Sequence, residues 1–419
     1  LAWLAGLPLK SHYPPERLEG MRDARFRWLI NHAYRQIPFY RELLEQEGVK
    51  PESIHGIRDI GQLPLISKDV LQRAGTDAWS RDLPAEKRRL ASTSGSTGQP
   101  LSLVFSFKDL LLSHAHNLQC MANFGWRPWY RGMALGSQAL PEGHFLERLG
   151  LCRWPRVDTS QPVAKWLDQY HQIRPQALHC YPSALREFCF EAQRQGGLSW
   201  LPRVLSVGGE MYDETITPLA LDVFGQRPLA MYGSVEASRM AVECREISGV
   251  HVRLDALHLE ILDGEQPVAP GKAGAVYITS LVNENIPVFR YELGDVAEWV
   301  AGDCACGSKW PRIELHQGRA SDVIHLQGGR RVPVTELCAI AGNCQAIRQF
   351  QFILKTPDTM VLRFERADSG QDIDGVRSEL DSTLPGIEVK LEESGQLPRT
   401  ASGKVKRLID ETSAKPGEH

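Results

Sequence analysis

Ser92-Thr93-Ser94-Gly95-Ser96-Thr97-Gly98-Gln99-Pro100 crowds hydroxyls and two glycines into one short run. Glycine lets a turn expose successive backbone N–H groups, and those groups with nearby hydroxyls make a socket for polyphosphate. The Gly-Lys-Ser/Thr ending of the common nucleotidase phosphate loop is missing, so a phosphate-binding lysine must come from elsewhere. Taken alone, the stretch serves equally well as a solvated Ser/Gly linker.

Size and charge narrow the classes. A chain of 419 residues predicts two or three domains. The 48 basic and 51 acidic residues leave −3, too even for a protein that binds nucleic acid or a membrane surface by bulk charge. No run approaches a membrane span, and the start lacks a secretory pattern. The start at Leu1 reads as a trimmed or incomplete N-terminus. Nine scattered cysteines, an odd number, argue against a disulfide framework and for a reducing, cytoplasmic setting.

Residues 1–90 read as a helical lead-in. Trp28, Leu29 and His32 sit at helical spacing, Pro38 breaks that helix, and Ser67 is placed to cap another. From Arg89 to about Val300 short apolar runs alternate with helical stretches. Strands are expected at 101–106, 132–136, 177–181, 204–207 and 228–232, and helices at 108–122, 163–173 and 183–195. This alternation predicts a layered α/β fold with functional loops at strand ends. A β-rich subdomain follows at about 245–317, with strands at 251–262 and 275–280. A small α+β domain closes the chain.

Four further stretches carry chemistry. In Met231-Tyr232-Gly233-Ser234-Val235-Glu236 an aromatic can stack on a base and a carboxylate can hold Mg²⁺. In Arg290-Tyr291-Glu292-Leu293-Gly294-Asp295 the aspartate, read as following a turn glycine, can accept from both ribose hydroxyls. Gly318-Arg319-Ala320-Ser321 offers an arginine at a domain boundary, and Leu397-Pro398-Arg399-Thr400-Ala401-Ser402-Gly403-Lys404 ends on a lysine beside a flexible turn. Each alone is equally a packed aromatic, a turn carboxylate or a surface cation.

In this order the five stretches resemble the adenylate-forming superfamily of acyl-CoA synthetases, luciferases and adenylation domains. His32-Ala-Tyr, Ile37-Pro-Phe-Tyr40, Leu63-Pro-Leu-Ile-Ser-Lys68 and Tyr181-Pro-Ser-Ala-Leu185 make the chain most similar to its phenylacetate–CoA ligase-like branch. The resemblance implies an α/β fold with a large domain at 1–317, a hinge at 318–321 and a mobile lid domain at 322–419. It implies ATP-dependent activation of a small carboxylic acid, aryl or otherwise compact, as an acyl-adenylate, then thioester formation with coenzyme A. Thr93, Ser94, Gly95, Ser96, Thr97 and Gly98 would hold the phosphates, Tyr232 with Gly233 and Ser234 the adenine, and Glu236 the Mg²⁺. Asp295 would hold the ribose, Arg319 would steady the nucleotide, and Lys404, Glu236 and Thr97 would serve catalysis. Gly208, Gly209 and Glu210 resemble the wall between nucleotide and acid; Gly136, Tyr181, Gly208 and Ser234 are the expected acid pocket. Ser321 matches the pivot by position, and the Gly328-Gly329 turn is a candidate for the thiol-facing loop.

Cys244, His251, Cys304 and Cys306 offer three thiolates and an imidazole, a set that suits structural Zn²⁺. His258 is the alternative nitrogen, and four reduced, packed side chains are the alternative to a metal. Two other functions remain open: transfer of the activated acid to a carrier protein or an amine, and a silent acid- or nucleotide-binding protein. The branch also allows a homodimer.

Overall fold

The computed structural model describes residues 10–92, 101–136, 145–319, 323–326, 329–367, 373–400 and 403–412, without the side chains of 145–146 and 317–319. The chain divides into two compact units: Leu1–Gly125 with Met231–His316, and Trp126–Ala230 with Gln317–His419. Among the described residues no helix is long and apolar enough to cross a membrane.

In the first unit, helix Pro15–Gln36 stops at Ile37, whose backbone is extended, and Pro38 opens the next helix, Pro38–Gln46. A residue before proline is pushed out of the helical region, which fixes the break. Phe26, Leu29, Ile30 and Ala33 form the buried stripe. Trp28 faces outward instead and stacks on His32 with ring centroids 5.0 Å apart. Ser67 occupies a helix N-cap without a side-chain capping bond, whereas Ser106 and Asp109 form a complete capping box at Phe107–Asn123. Strands Arg89–Ser92 and Ser102–Phe105 pair antiparallel, Ser92 opposite Ser102. The hydroxyl-rich segment 93–100 runs between them and lies outside the described residues.

The β-rich part of this unit is a mainly antiparallel array in the order Gln266–Pro267, Leu257–Asp263, Gly274–Ser280, Tyr291–Val300, Arg312–Arg319, Val250–Val252, Ser238–Glu243, Leu229–Ser234, of which Leu229–Ala230 and 317–319 count with the second unit. The single strand expected at 251–262 is two strands separated by a turn in which Ala256 and Leu257 both donate to the Arg253 carbonyl. Arg253 is fully buried, paired with Asp255 at 3.0 Å and donating to the His116 carbonyl at 3.1 Å. A buried guanidinium has to find such partners, and the turn brings Asp255 within reach. The expected turn around Asp295 is likewise a correction. Asp295 lies within the ten-residue strand Tyr291–Val300, where Gly294 adopts φ +79° beside a register shift against Gly274–Ser280.

The second unit carries parallel strands in the order Val204–Gly208, Ala177–Cys180, Gly132–Leu135, Arg156–Val157. Every residue of Gly132–Leu135, Ala177–Cys180 and Val204–Gly208 is buried, the signature of parallel strands covered on both faces. Helices Val163–Ile173, Pro182–Arg194 and Ile216–Phe224 pack Trp166, Leu185, Phe188 and Phe224 into the core with these strands. A separate core containing Leu337, Phe350, Phe352, Phe364 and Leu380 holds strands Ile347–Thr356 and Thr359–Arg366 to helices Val334–Asn343 and Asp374–Thr383. Glu388–Glu393 pairs parallel to Thr359–Arg366, and Leu408–Asp410 parallel to Ile347–Thr356.

Candidate active site

Three neighbouring parallel strands end on the same cluster in the second unit. Gly136 follows Gly132–Leu135, Tyr181 follows Ala177–Cys180, and Gly209 follows Val204–Gly208. Carboxyl ends of parallel strands are where open α/β sheets place their ligands. Gly136 (φ +72°) and Gly209 (φ +84°) both require glycine, and each would drive a Cβ into the Tyr181 ring, at 2.4 and 2.8 Å. The two glycines thus hold the ring between them.

Lys404 comes to the same place. Its Nζ lies 5.2 Å from the Tyr181 ring centroid, within cation–π range, and 3.8 Å from where a Cβ on Gly209 would sit. The loop that carries it is tied internally. The Thr400 N–H donates to the Lys404 carbonyl at 2.8 Å, and the Lys404 N–H returns a bond to Thr400 Oγ1 at 3.1 Å. Gly403 (φ +86°) passes so close to Thr159 that a Cβ there would lie 2.4 Å from the hydroxyl. Glu210 accepts from Ser183 N and Oγ at 3.0 Å each and from Val405 N at 3.1 Å. Its carboxylate is therefore engaged by protein donors on either side of the cluster.

The first unit brings another set together. Tyr232 donates its hydroxyl to Asp295 Oδ2 at 2.6 Å, so two of the expected nucleotide residues share a hydrogen bond. Glu236 sits in the hairpin turn between Leu229–Ser234 and Ser238–Glu243, yet it is buried and accepts from Tyr291 at 3.3 Å. Ser234 Oγ accepts from Ala237 N, closing that turn. Gly233 is required there, since a Cβ would lie 2.4 Å from the Ser238 carbonyl. Thr93, Ser94, Gly95, Ser96, Thr97, Gly98, Ser321, Asp322 and Gly328 lie outside the described residues, as does the side chain of Arg319.

Cys244, His251, Cys304 and Cys306 converge in the same unit, their ligand atoms all within 4.8 Å of one another. Cys244 Sγ is 3.6 Å from Cys304 Sγ, and Cys306 Sγ is 3.4 Å from His251 Nε2. Tetrahedral Zn²⁺ with Zn–S bonds near 2.3 Å separates its sulfurs by about 3.8 Å, so the spacing suits that ion. His251 Nδ1 lies 3.0 Å from the Trp310 carbonyl, the partner that fixes a ligating imidazole with Nε2 toward the metal. Burial raises the Cys304 thiol, but hydrogen bonds from Ser248, Cys306 and Cys244 outweigh it and bring it to about 6. Burial pushes Cys244 up to about 12. His258 is not in the cluster; its Nδ1 lies 2.7 Å from the Arg22 guanidinium. Among the described residues this is the group whose donors meet as a metal site requires.

Thr159 carries no motif, and Tyr291 and Ser183 lie in the quoted stretches without a role of their own; only the fold sets the three against Gly403, Glu236 and Glu210.

No protein-family model matches the chain. Over 442 residues it is 26% identical to the phenylacetate–coenzyme A ligase of Thermus thermophilus, spanning 95% of this chain and 97% of that protein. The Aromatoleum evansii enzyme of the same name is 23% identical over 437 residues, 94% of each chain. The Escherichia coli one is 25% identical over 328 residues, 75% of this chain and 74% of that protein. Among solved structures, a 2-hydroxyisobutyryl-CoA ligase in the postadenylation state superposes with a TM-score of 0.76 at 18% identity, over 96% of this chain and 92% of that one. The same ligase with 2-HIB-AMP and CoA in the thioesterification state gives 0.64 at 18% identity, over 97% and 92%. At these identities the structures speak to the fold.

Proposed function

We infer that this chain, which belongs to the phenylacetate–CoA ligase-like branch of the adenylate-forming superfamily, activates a carboxylic acid with ATP as an acyl-adenylate and passes the acyl group to coenzyme A. The observation that carries this reading is Lys404 seated over Tyr181 at the carboxyl ends of three parallel strands. Attack of a carboxylate on the α-phosphate gathers negative charge between two anions. A preorganised ammonium there stabilises that charge, and losing such a group costs on the order of 2.7–4 kcal/mol of barrier.

The other roles follow the same logic. Tyr232 flanks the adenine and holds Asp295 for the ribose hydroxyls. Thr93, Ser94, Gly95, Ser96, Thr97 and Gly98 cradle the phosphates, with Arg319 steadying the nucleotide and Glu236 as carboxylate ligand for Mg²⁺. Glu236 fits that cation, being a buried carboxylate whose oriented oxygen is set by Tyr291. Mg²⁺ supplies neutralisation of the phosphate charge when bound. Gly208 and Gly209 let the substrates approach the backbone, and Gly136 and Tyr181 shape the site for an aryl or similarly compact acid.

The Cys244–His251–Cys304–Cys306 set fits structural Zn²⁺, with no position left for substrate. It would tie the end of Ser238–Glu243 to Val250–Val252 and to the loop before Arg312. The separate core of the C-terminal segment supports a lid domain at 322–419, pivoting at 318–321, that carries Lys404 in for activation and away for thioester formation.

Pyrophosphate release across a panel of aryl and short aliphatic acids tests the reading. Acid-dependent release together with acyl-CoA formation is the expected result. Release without acyl-CoA points instead to a carrier-protein or amine acceptor, and no release with any acid points to a silent binding protein.

A further inference from the structure

Two carboxylates bracket the lysine loop. Val405, next after Lys404, donates its N–H to Glu210. Arg399, five residues before Lys404, donates to Glu187 on helix Pro182–Arg194. The pair is sealed from water, with Glu187 at 4% and Arg399 at 12% side-chain exposure. Glu187 Oε1 also accepts from Gln349 Nε2 at 2.9 Å, and Gln349 Oε1 accepts from Arg407 at 2.5 Å. Arg399 donates in addition to the Gly403 carbonyl at 3.2 Å, so its guanidinium links the buried carboxylate to the turn that presents Lys404. Burial raises the Glu187 carboxyl above its ordinary range, although Arg399 and Gln349 pull it the other way.

A carboxylate this buried is costly unless its cation stays with it, and breaking such a pair from one side leaves an uncompensated charge. Glu187 and Arg399 lie on segments 212 residues apart. If the loop leaves, the pair must break. The same helix reaches the C-terminal segment through Arg186, which donates to the carbonyls of Gly342 at 2.9 Å and Ile347 at 2.8 Å. Those bonds hold the body of that segment, whereas the Glu187–Arg399 pair holds the loop.

We propose that Glu187 is a positioning residue for acid activation: through Arg399 it latches the Lys404 loop over Tyr181, and this latch must open before the thiol step. The proposal rests on the two-step reading above and names the contact that sets the balance between its steps. Glu187 touches no reacting atom; it acts by holding Arg399.

Glu187→Gln removes the charge and keeps the shape, and Arg399→Gln breaks the same pair from the loop. In the ligand-free full chain, backbone amides of 397–400 and 403–406 are expected to exchange with deuterium at least ten-fold faster in either variant. Acid-dependent ATP–pyrophosphate exchange is expected to fall about ten-fold or more, while thioester formation from a supplied acyl-adenylate and coenzyme A holds or rises. Unchanged amide protection overturns the proposal, as does an equal fall in both half-reactions. If neither variant folds, the pair serves fold stability alone and the proposal likewise fails. A wild-type protein that activates no acid would sink the two-step reading, and the amide measurement would still decide whether the latch exists.

Discussion

Tyr232 and Asp295 share a 2.6 Å hydrogen bond, phenol to carboxylate, between strands that are remote in sequence. The bond fixes the rotamer of the carboxylate proposed to read the ribose. Tyr232→Phe is expected to lower stability by about 1.5 kcal/mol, the worth of a hydrogen bond to a charged group at the low end for a half-buried site. The KM for ATP should rise several-fold with kcat less affected. Urea denaturation and ATP titration measure the two effects, and an unchanged KM would remove Tyr232 from nucleotide binding.

Lys404→Ala separates the half-reactions. Acyl-adenylate formation should fall by roughly 10²–10³-fold, the usual cost of one preorganised charge-stabilising group. Thioester formation from a supplied adenylate should persist, because the lysine serves the first step. Equal loss in both would argue against a loop that serves one step and leaves for the other.

Metal analysis of protein prepared without added zinc should give about one equivalent per chain, and Cys304→Ser should lower that content. Chelation should reduce the thermal midpoint, since metal affinity for a preformed site is folding free energy. Protein that holds no metal and unfolds at the same temperature with and without chelator would leave the cluster as four packed side chains.

Acid should destabilise the first unit in a defined window. Burial, reinforced by Arg253 at one site and Arg22 at the other, drives both His116 and His258 down to about 3. Both are neutral in the folded chain, while an unfolded imidazole titrates near 6.5. The unfolded state therefore takes up protons first as pH falls. The stabilisation is fully present above about 6.5 and is lost progressively toward 3. Urea midpoints at pH 7.5, 6 and 5 should decline in that order, and His258→Gln, which keeps an acceptor for Arg22, should flatten the slope. A midpoint independent of pH would contradict this account.

Much of the architecture was legible because parallel strands buried on both faces read as apolar runs. Helix Val163–Ile173 lies where periodicity placed it, and the 177–181 and 204–207 strands differ from the observed ones by a residue. The cysteine–histidine set could be singled out by residue type alone, and the structure brings the four together. Legibility failed where a buried charge dictated the path. Periodicity carried one strand through Arg253, but the guanidinium's need for Asp255 bends the chain there. Gly294 suggested a turn, whereas its positive φ is absorbed as an irregularity inside a long strand. Glu187 was invisible because nothing local distinguishes it from a solvated helix glutamate, and its partner lies 212 residues away.

Gly403 has a practical implication for anyone wishing to redesign this loop. With φ +86° and Thr159 where a side chain would begin, no other residue threads the gap without displacing its neighbour. Libraries that vary the segment around Lys404 should leave that codon fixed, or vary position 159 alongside it. A transplant of the loop into another scaffold would need a small partner opposite to receive it.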